Sequence, residues 1–194
     1  MRFCVPRSVF LDIDVPYIPM NLPDDGFVFE LTVNSLSTSK LFVPQRDIRG
    51  QPMPLIGSVV DGSSGPPKFG PDTHLRRIAA SPASILEPTG NGLLAVFESQ
   101  KRDHWAVWKP APGAPLSRAS INDRATFVAS CQLRDFRQLP RHGIDESKAC
   151  QRQLFESGYK VNYHFDFANI LQLGELDNAV LARVRSWRCK PNGA

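Results

Sequence analysis

Long apolar runs are missing from this chain of 194 residues. Stretches such as 93–97 fall far short of the roughly 20 apolar residues that a membrane-spanning helix requires, so no membrane insertion is expected. The first residues begin basic, but Asp12 and Asp14 interrupt the place where a signal peptide would carry its apolar region. Export by that route is disfavoured, and the expected location is cytoplasmic.

Cysteine is scarce and scattered. Cys4, Cys131, Cys150 and Cys189 include no C-x-x-C pair and have no neighbouring histidine, which excludes the usual zinc-ligand spacings. A chain of this length buries enough core to fold without covalent staples, so the four read as reduced, mostly buried thiols, although their even number also permits two disulfides.

Phosphate-binding and nucleophile motifs are missing as well. The glycine-rich loop 57–70 lacks the G-x-x-x-x-G-K-S/T order that cradles phosphates, and its Ser63-Ser64-Gly65 is not a G-x-S-x-G elbow. His74, His104, His142 and His164 contain no H-x-x-x-H pair. None of these features calls for a cofactor or a resident metal. Regular β-α alternation is absent too, which argues against a doubly wound sheet, and neither an internal repeat nor a convincing linker divides the chain.

What is present is period-two alternation over most of the length. Residues 8–15 place Val9, Leu11, Ile13 and Val15 on one face of a strand, and residues 26–33 do the same with Phe27, Phe29, Leu31 and Val33. Further strands are expected at 40–43, 55–60, 93–99, 104–109 and 126–133. The pair 93–99 and 104–109 reads as a hairpin, with Trp105 and Val107 on one face and Trp108 on the other. A short helix capped by Asp72 carries Leu75, Ile78 and Ala79 and stops at Pro82.

The pattern changes near the carboxyl end. Asp145 is positioned to cap a helix running to Gly158, followed by an aromatic strand with Tyr159, Val161, Tyr163 and Phe165 on one face and His164 on the other. Asp166 caps a short helix to Gly174, and a final helix buries the stripe Leu176, Val180, Val184, Trp187. The expectation is an α+β fold: a mostly antiparallel β-sheet or sandwich with C-terminal helices packed on one face. It forms a single domain over 1–194, β-rich over 1–140 and closed by a helix-strand-helix segment over 145–188.

Charge is uneven. Residues 1–97 hold 8 Lys and Arg against 9 Asp and Glu, whereas residues 98–194 hold 15 against 10. Two local groups stand out: Arg134, Arg137 and Arg141 after a strand, and Arg183, Arg185, Arg188 and Lys190 on the last helix and tail. Brought together they would form a footprint for an acidic protein or for phosphates. No recognised nucleic-acid motif accompanies them.

Three functional classes follow. The leading one is a non-enzymatic interaction protein, either a component of a larger assembly or a protein inhibitor or adaptor. Another protein is its expected partner, and the proline-rich segments 16–23 and 110–115 are suited to lying across it. The second class is a nucleic-acid-binding protein using the basic groups. The third is an enzyme assembled from distant residues, with Asp12, Asp14 and Glu98 as the candidate carboxylates; Asp12-x-Asp14 on one strand face has the spacing to hold magnesium. Ser37-Thr38-Ser39 with Arg7 and Glu98 follows an order seen in some ADP-ribosyltransferases. However, Glu98 leads into Ser99-Gln100-Lys101 rather than an acidic or Gln-x-Glu loop, and turn formation accounts for the hydroxyls.

Overall fold

The structure is a computed structural model and describes residues 3, 26–31, 36, 42–47, 49–62, 71–98, 102–121, 125–135 and 146–189. The expected strand at 8–15 lies outside these residues, as do the Asp12-x-Asp14 pair, Ser37-Thr38-Ser39, Arg7, Cys4 and the Asp145 cap.

Alternating sequence makes strands, and among the described residues eight of them join in one antiparallel sheet. In chain order they are β1 (Phe27–Leu31), β2 (Leu55–Asp61), β3 (Ile85–Pro88), β4 (Leu94–Phe97), β5 (His104–Lys109), β6 (Thr126–Asp135), β7 (Glu146–Glu156) and β8 (Tyr159–Asp166). The spatial order is β1-β2-β8-β7-β6-β5-β4-β3, so β3 to β8 form a continuous meander and the antiparallel β1-β2 pair is added beside β8. Between β2 and β3 the chain crosses to the far edge through helix α1 (Pro71–Ala80). After β8 come a 3-10 helix, Phe167–Gln172, and helix α2 (Leu173–Ser186).

One sheet face is sealed by α2. Phe29, Val59, Val161, Tyr163, Phe165, Trp105 and Val107 meet Leu176, Val180, Val184 and Trp187 in the main core. The i, i+4, i+8 and i+11 stripe therefore docks as its spacing predicted. Arg152 of β7 reinforces the contact by an ion pair with Asp177 of α2, Nη2 to Oδ2 at 2.8 Å. A smaller core lies on the opposite face, where Ala79 of α1 covers Leu94, Val96, Ala106 and Trp108 over the β4-β5 end. Arg118 caps the carboxyl end of α1, donating to the carbonyls of Ala79 and Ser81 and, from Nη2, to that of Ser84 at 2.8 Å. Both tryptophans of β5 are thus core, one on each face.

Gly57 shows how tightly the first face is packed. A Cβ built there would sit 2.7 Å from the Asn162 carbonyl oxygen and would overlap the Phe29 ring, so only glycine fits where the ring crosses the backbone of β2.

The α+β expectation holds, with three local corrections. Residues 146–156 form not a helix but β7, a strand paired on both sides with β6 and β8, so the closing segment is strand-strand-helix. Its Glu, Lys, Gln, Arg and Leu content favours helix locally. Ladder bonding to two neighbours overrides that weak preference. Phe42 and Val43 are not in a strand, because Pro44 follows and Asn169 holds them from the side. Finally, Cys131 and Cys150, directly opposed on β6 and β7 with Cα atoms 4.0 Å apart, form a disulfide, and Cys189 is also disulfide-bonded. The reduced-thiol reading fails because the register puts two cysteines side by side, which separation in sequence concealed. β3 was not anticipated; its four residues are too few to show a period.

Candidate functional site

Because paired residues on neighbouring strands share a face, the register fixes which side chains line the side of the sheet away from α2. One cross-strand row is Val28, Ser58, Asn162, Gln153; the next is Glu30, Ile56, His164, Gln151, Ser130; the third is Asp166, Ala149, Gln132. Lys160 and Phe155 lie beyond the first row. β8 alternates buried and half-buried residues along its whole length, and Gln151 and Phe155 are exposed, so the first two rows are open among the described residues, whereas Ala149 of the third row is buried. The middle of this face carries no Lys, Arg, Asp or Glu. Within the first row, Gln153 donates to Asn162 Oδ1 at 2.8 Å and Asn162 donates to Ser58 Oγ at 3.2 Å, so these polar groups are oriented before any partner arrives.

At the Asp166 end this face opens into a cleft of about 340 Å³, lined by Val43, Pro44, Arg46, Ser147, Lys148, Asp166, Phe167 and Ala168. One wall is the segment 42–47, fixed by two carboxamides. Buried Asn169 accepts from Val43 N–H and donates to Val43 O, both at 2.8 Å, while Gln45 donates to the Phe165 carbonyl at 2.8 Å. Asp47 then turns the chain, its carboxylate accepting from the amides of Arg49 and Gln51, and the exposed Arg46 donates to the Gly50 carbonyl at 2.6 Å. Asp166 accepts from the Ala168 amide at 2.9 Å, as a residue capping the following helix should. Burial pushes its carboxyl above the usual range, opposed by the Ala168 N–H and by the charges of Lys148 and Arg46.

The described members of the two basic groups take separate places. Arg185 and Arg188 turn onto Glu156 at the β7-β8 turn, with Nη2 to Oε1 distances of 3.0 and 3.8 Å, and Arg188 also lies over the Tyr159 ring and donates to its hydroxyl at 2.6 Å. Arg185 above all, with Arg188, holds the Glu156 carboxyl below its usual range. Arg183 is half-buried on α2. Arg134 takes its place on β6 opposite Ser147, nine residues along β7 from Glu156, or roughly 30 Å at about 3.3 Å per residue. Arg137, Arg141 and Lys190 lie outside the described residues. Of the candidate carboxylates, Glu98 is exposed beyond β4, and among the described residues no group of three or more His, Cys, Asp or Glu could hold a metal ion. No described helix is long and apolar enough to cross a membrane.

The alternation of Lys160, Asn162 and His164 with buried aromatics did mark one polar face of β8. The cleft left no such trace, since its walls come from three segments far apart in sequence. No protein-family model matches the chain, nor does any curated protein. Among solved structures it is similar to an immunity protein of the Stenotrophomonas maltophilia type IV secretion system, with a TM-score of 0.49 and 12% identity over 97% of this chain and 90% of that one.

Proposed function

We propose that this chain is a protein-binding inhibitor or adaptor that docks one partner protein on the uncovered face of β2, β8, β7 and β6. The observation that carries the reading is the charge pattern of that face. Its middle holds carboxamides, hydroxyls and His164 with the apolar Ile56 and Ala149 among them, and its charged residues, Glu30, Lys160 and Asp166, stand at the margins. Protein interfaces are depleted of charge at their centre and polar at their rim, because uncharged groups lose less on desolvation. A sheet face kept only for solubility would more commonly carry Lys and Glu across its centre. A single contiguous docking face supports a finite complex rather than a growing array, which favours inhibitor or adaptor over assembly component.

The working compartment in this reading is oxidising rather than cytosolic. Disulfides persist where thiols are not continuously reduced, and Cys131–Cys150 lies in the core between two central strands. Nucleic-acid binding is not favoured, since Arg185 and Arg188 already face Glu156.

Site-specific photo-crosslinking in the source cells tests the proposal. A crosslinker at Gln151 should give one discrete protein adduct, and one at Ala182, exposed on α2, should not. Absence of an adduct at Gln151, equal labelling at both positions, or a nuclease-sensitive adduct would overturn it. Mass shifts after thiol alkylation of the same protein, with and without reductant, read the compartment.

A further inference from the structure

We infer that the cleft beside Asp166 is the anchor point for an acidic, apolar peptide segment of the partner, with Arg46 and Lys148 taking its carboxylate and Val43 and Ala168 its hydrophobic neighbour. The inference rests on the proposed protein-binding function and names the chemistry recognised at one end of that surface.

Size, charge and exposed apolar surface converge here. At about 340 Å³ the cleft lies within the range of side-chain and small-ligand pockets, roughly 300–1,000 Å³. Two exposed cations, Arg46 and Lys148, line it against one carboxylate, Asp166, so the lining carries a net positive charge. Its wall does not have to be ordered on binding, because Asn169 and Gln45 already hold the 42–47 segment by three hydrogen bonds. That lowers the entropy lost when a partner docks.

The lip is apolar in a way that solubility alone does not call for. Only four large hydrophobic side chains are exposed among the described residues, and one of them, Val43 at 44%, lines this cleft. Exposed Ala168 lines the cleft beside it, and the Pro44 and Phe167 side chains complete the apolar part of the wall. A neutral apolar ligand would leave the excess positive charge of the lining unmatched, and a purely anionic one would leave Val43 in water. A carboxylate side chain next to an aliphatic or aromatic one satisfies both. Continuity matters as well: Asp166 belongs to the third cross-strand row of the open face, so a partner lying across Gln151 and Gln132 reaches the cleft without a gap.

The test titrates the isotope-labelled full chain with the synthetic peptide acetyl-Leu-Asp-Ile-Glu-Leu-amide and with its Asn and Gln counterpart, following amide shifts by NMR. The acidic peptide should move Val43, Arg46, Ser147, Lys148 and Ala168 saturably and bind several-fold tighter than the neutral one. Lys148→Gln and Arg46→Gln should each weaken it by about threefold, the size expected of an exposed charge pair. Asp166→Asn should tighten it by a similar factor, a gain that misfolding would not produce. Equal binding of the two peptides, shifts outside the cleft, no shifts at all, or no response to Asp166→Asn would overturn the inference. The Gln151 crosslink reads the wider function separately: an adduct there with no peptide response sinks the anchor alone, and loss of the adduct sinks both.

Discussion

Tyr163 donates its hydroxyl hydrogen to Asp177 Oδ1 at 2.5 Å, while the same carboxylate receives Arg152 through Nη2 at 2.8 Å and Nε at 3.2 Å. This joins β7, β8 and α2 at one point inside the main core, and Arg152 extends it to β6 by donating from Nη1 to the Val128 carbonyl at 2.6 Å. Asp177→Ala would leave a largely buried guanidinium and a buried phenol without their acceptor. The expected loss is about 3 kcal/mol, against about 1.5 kcal/mol for Tyr163→Phe, which removes one hydrogen bond to a charge. Urea unfolding with an unchanged slope checks the ranking. Burial first, then the neighbouring Asp177 charge, push the Tyr163 phenol well above 10.0, so it should stay protonated in an alkaline absorbance titration until the fold is lost. The native state then holds a proton that the unfolded chain releases, and stability falls as pH rises past 10.0.

Reduction of the Cys131–Cys150 disulfide should destabilise the protein. The crosslink spans 19 residues, for which loop-closure entropy in the unfolded chain gives about 3 kcal/mol. A paired Cys131→Ala, Cys150→Ala variant compared with the parent in chemical denaturation measures it. Equal midpoints would mean that strand pairing alone sets the stability.

Gly57→Ala should lower stability by about 1–3 kcal/mol, the range for forcing a methyl group into a filled core. The added carbon meets the Asn162 backbone at 2.7 Å and the Phe29 ring. Phe29→Leu in the same background should recover part of the loss, since it shortens one of the two obstacles. Thermal melts of the single and double variants separate the two contributions.

Two carboxylates should respond to pH with opposite sign. The Asp166 carboxyl is raised in the fold, so its ionised form costs stability at neutral pH and that cost disappears as pH falls below 3.8. Asp166→Asn keeps an oxygen for the Ala168 amide and should melt higher at neutral pH, with the difference gone well below pH 3.8. The Glu156 carboxyl is lowered, so its contribution is present above 4.5 and is lost as pH falls through the folded value. Glu156→Gln should melt slightly lower at neutral pH and match the parent in strong acid or high salt, the salt sensitivity reflecting its exposed ion pairs.

The site was partly legible in advance. Asn162 and His164 were readable as the polar side of β8 because strong alternation of aromatics fixes which way a strand faces. Gln151 and Gln153 were not, because Ala149, Cys150 and Leu154 with charged and amide neighbours satisfy a helical pattern equally well. Nothing local to 146–156 distinguishes the two; the choice is made by vacant hydrogen-bonding edges on β6 and β8. The same register made neighbours of Cys131 and Cys150, reversing the thiol reading, and set Arg134 apart from Arg185 and Arg188.

By itself the sequence determined what short-range periodicity can encode: the β-rich α+β class, the β4-β5 hairpin with its tryptophans on opposite faces, the Asp166 cap, and the apolar stripe by which α2 docks. These depend on spacings of two to eleven residues, within which side-chain direction follows from backbone geometry. Tertiary structure alone decided the strand order, the identity of β7, the disulfide, the engagement of Arg185 and Arg188 by Glu156, and the cleft formed from 43–46, 147–148 and 166–168. Each of these joins segments whose separation along the chain carries no record of their distance in space. They exist because strand pairing and burial of the α2 stripe bring those segments together, and the open polar face is the side of the sheet that this burial leaves uncovered.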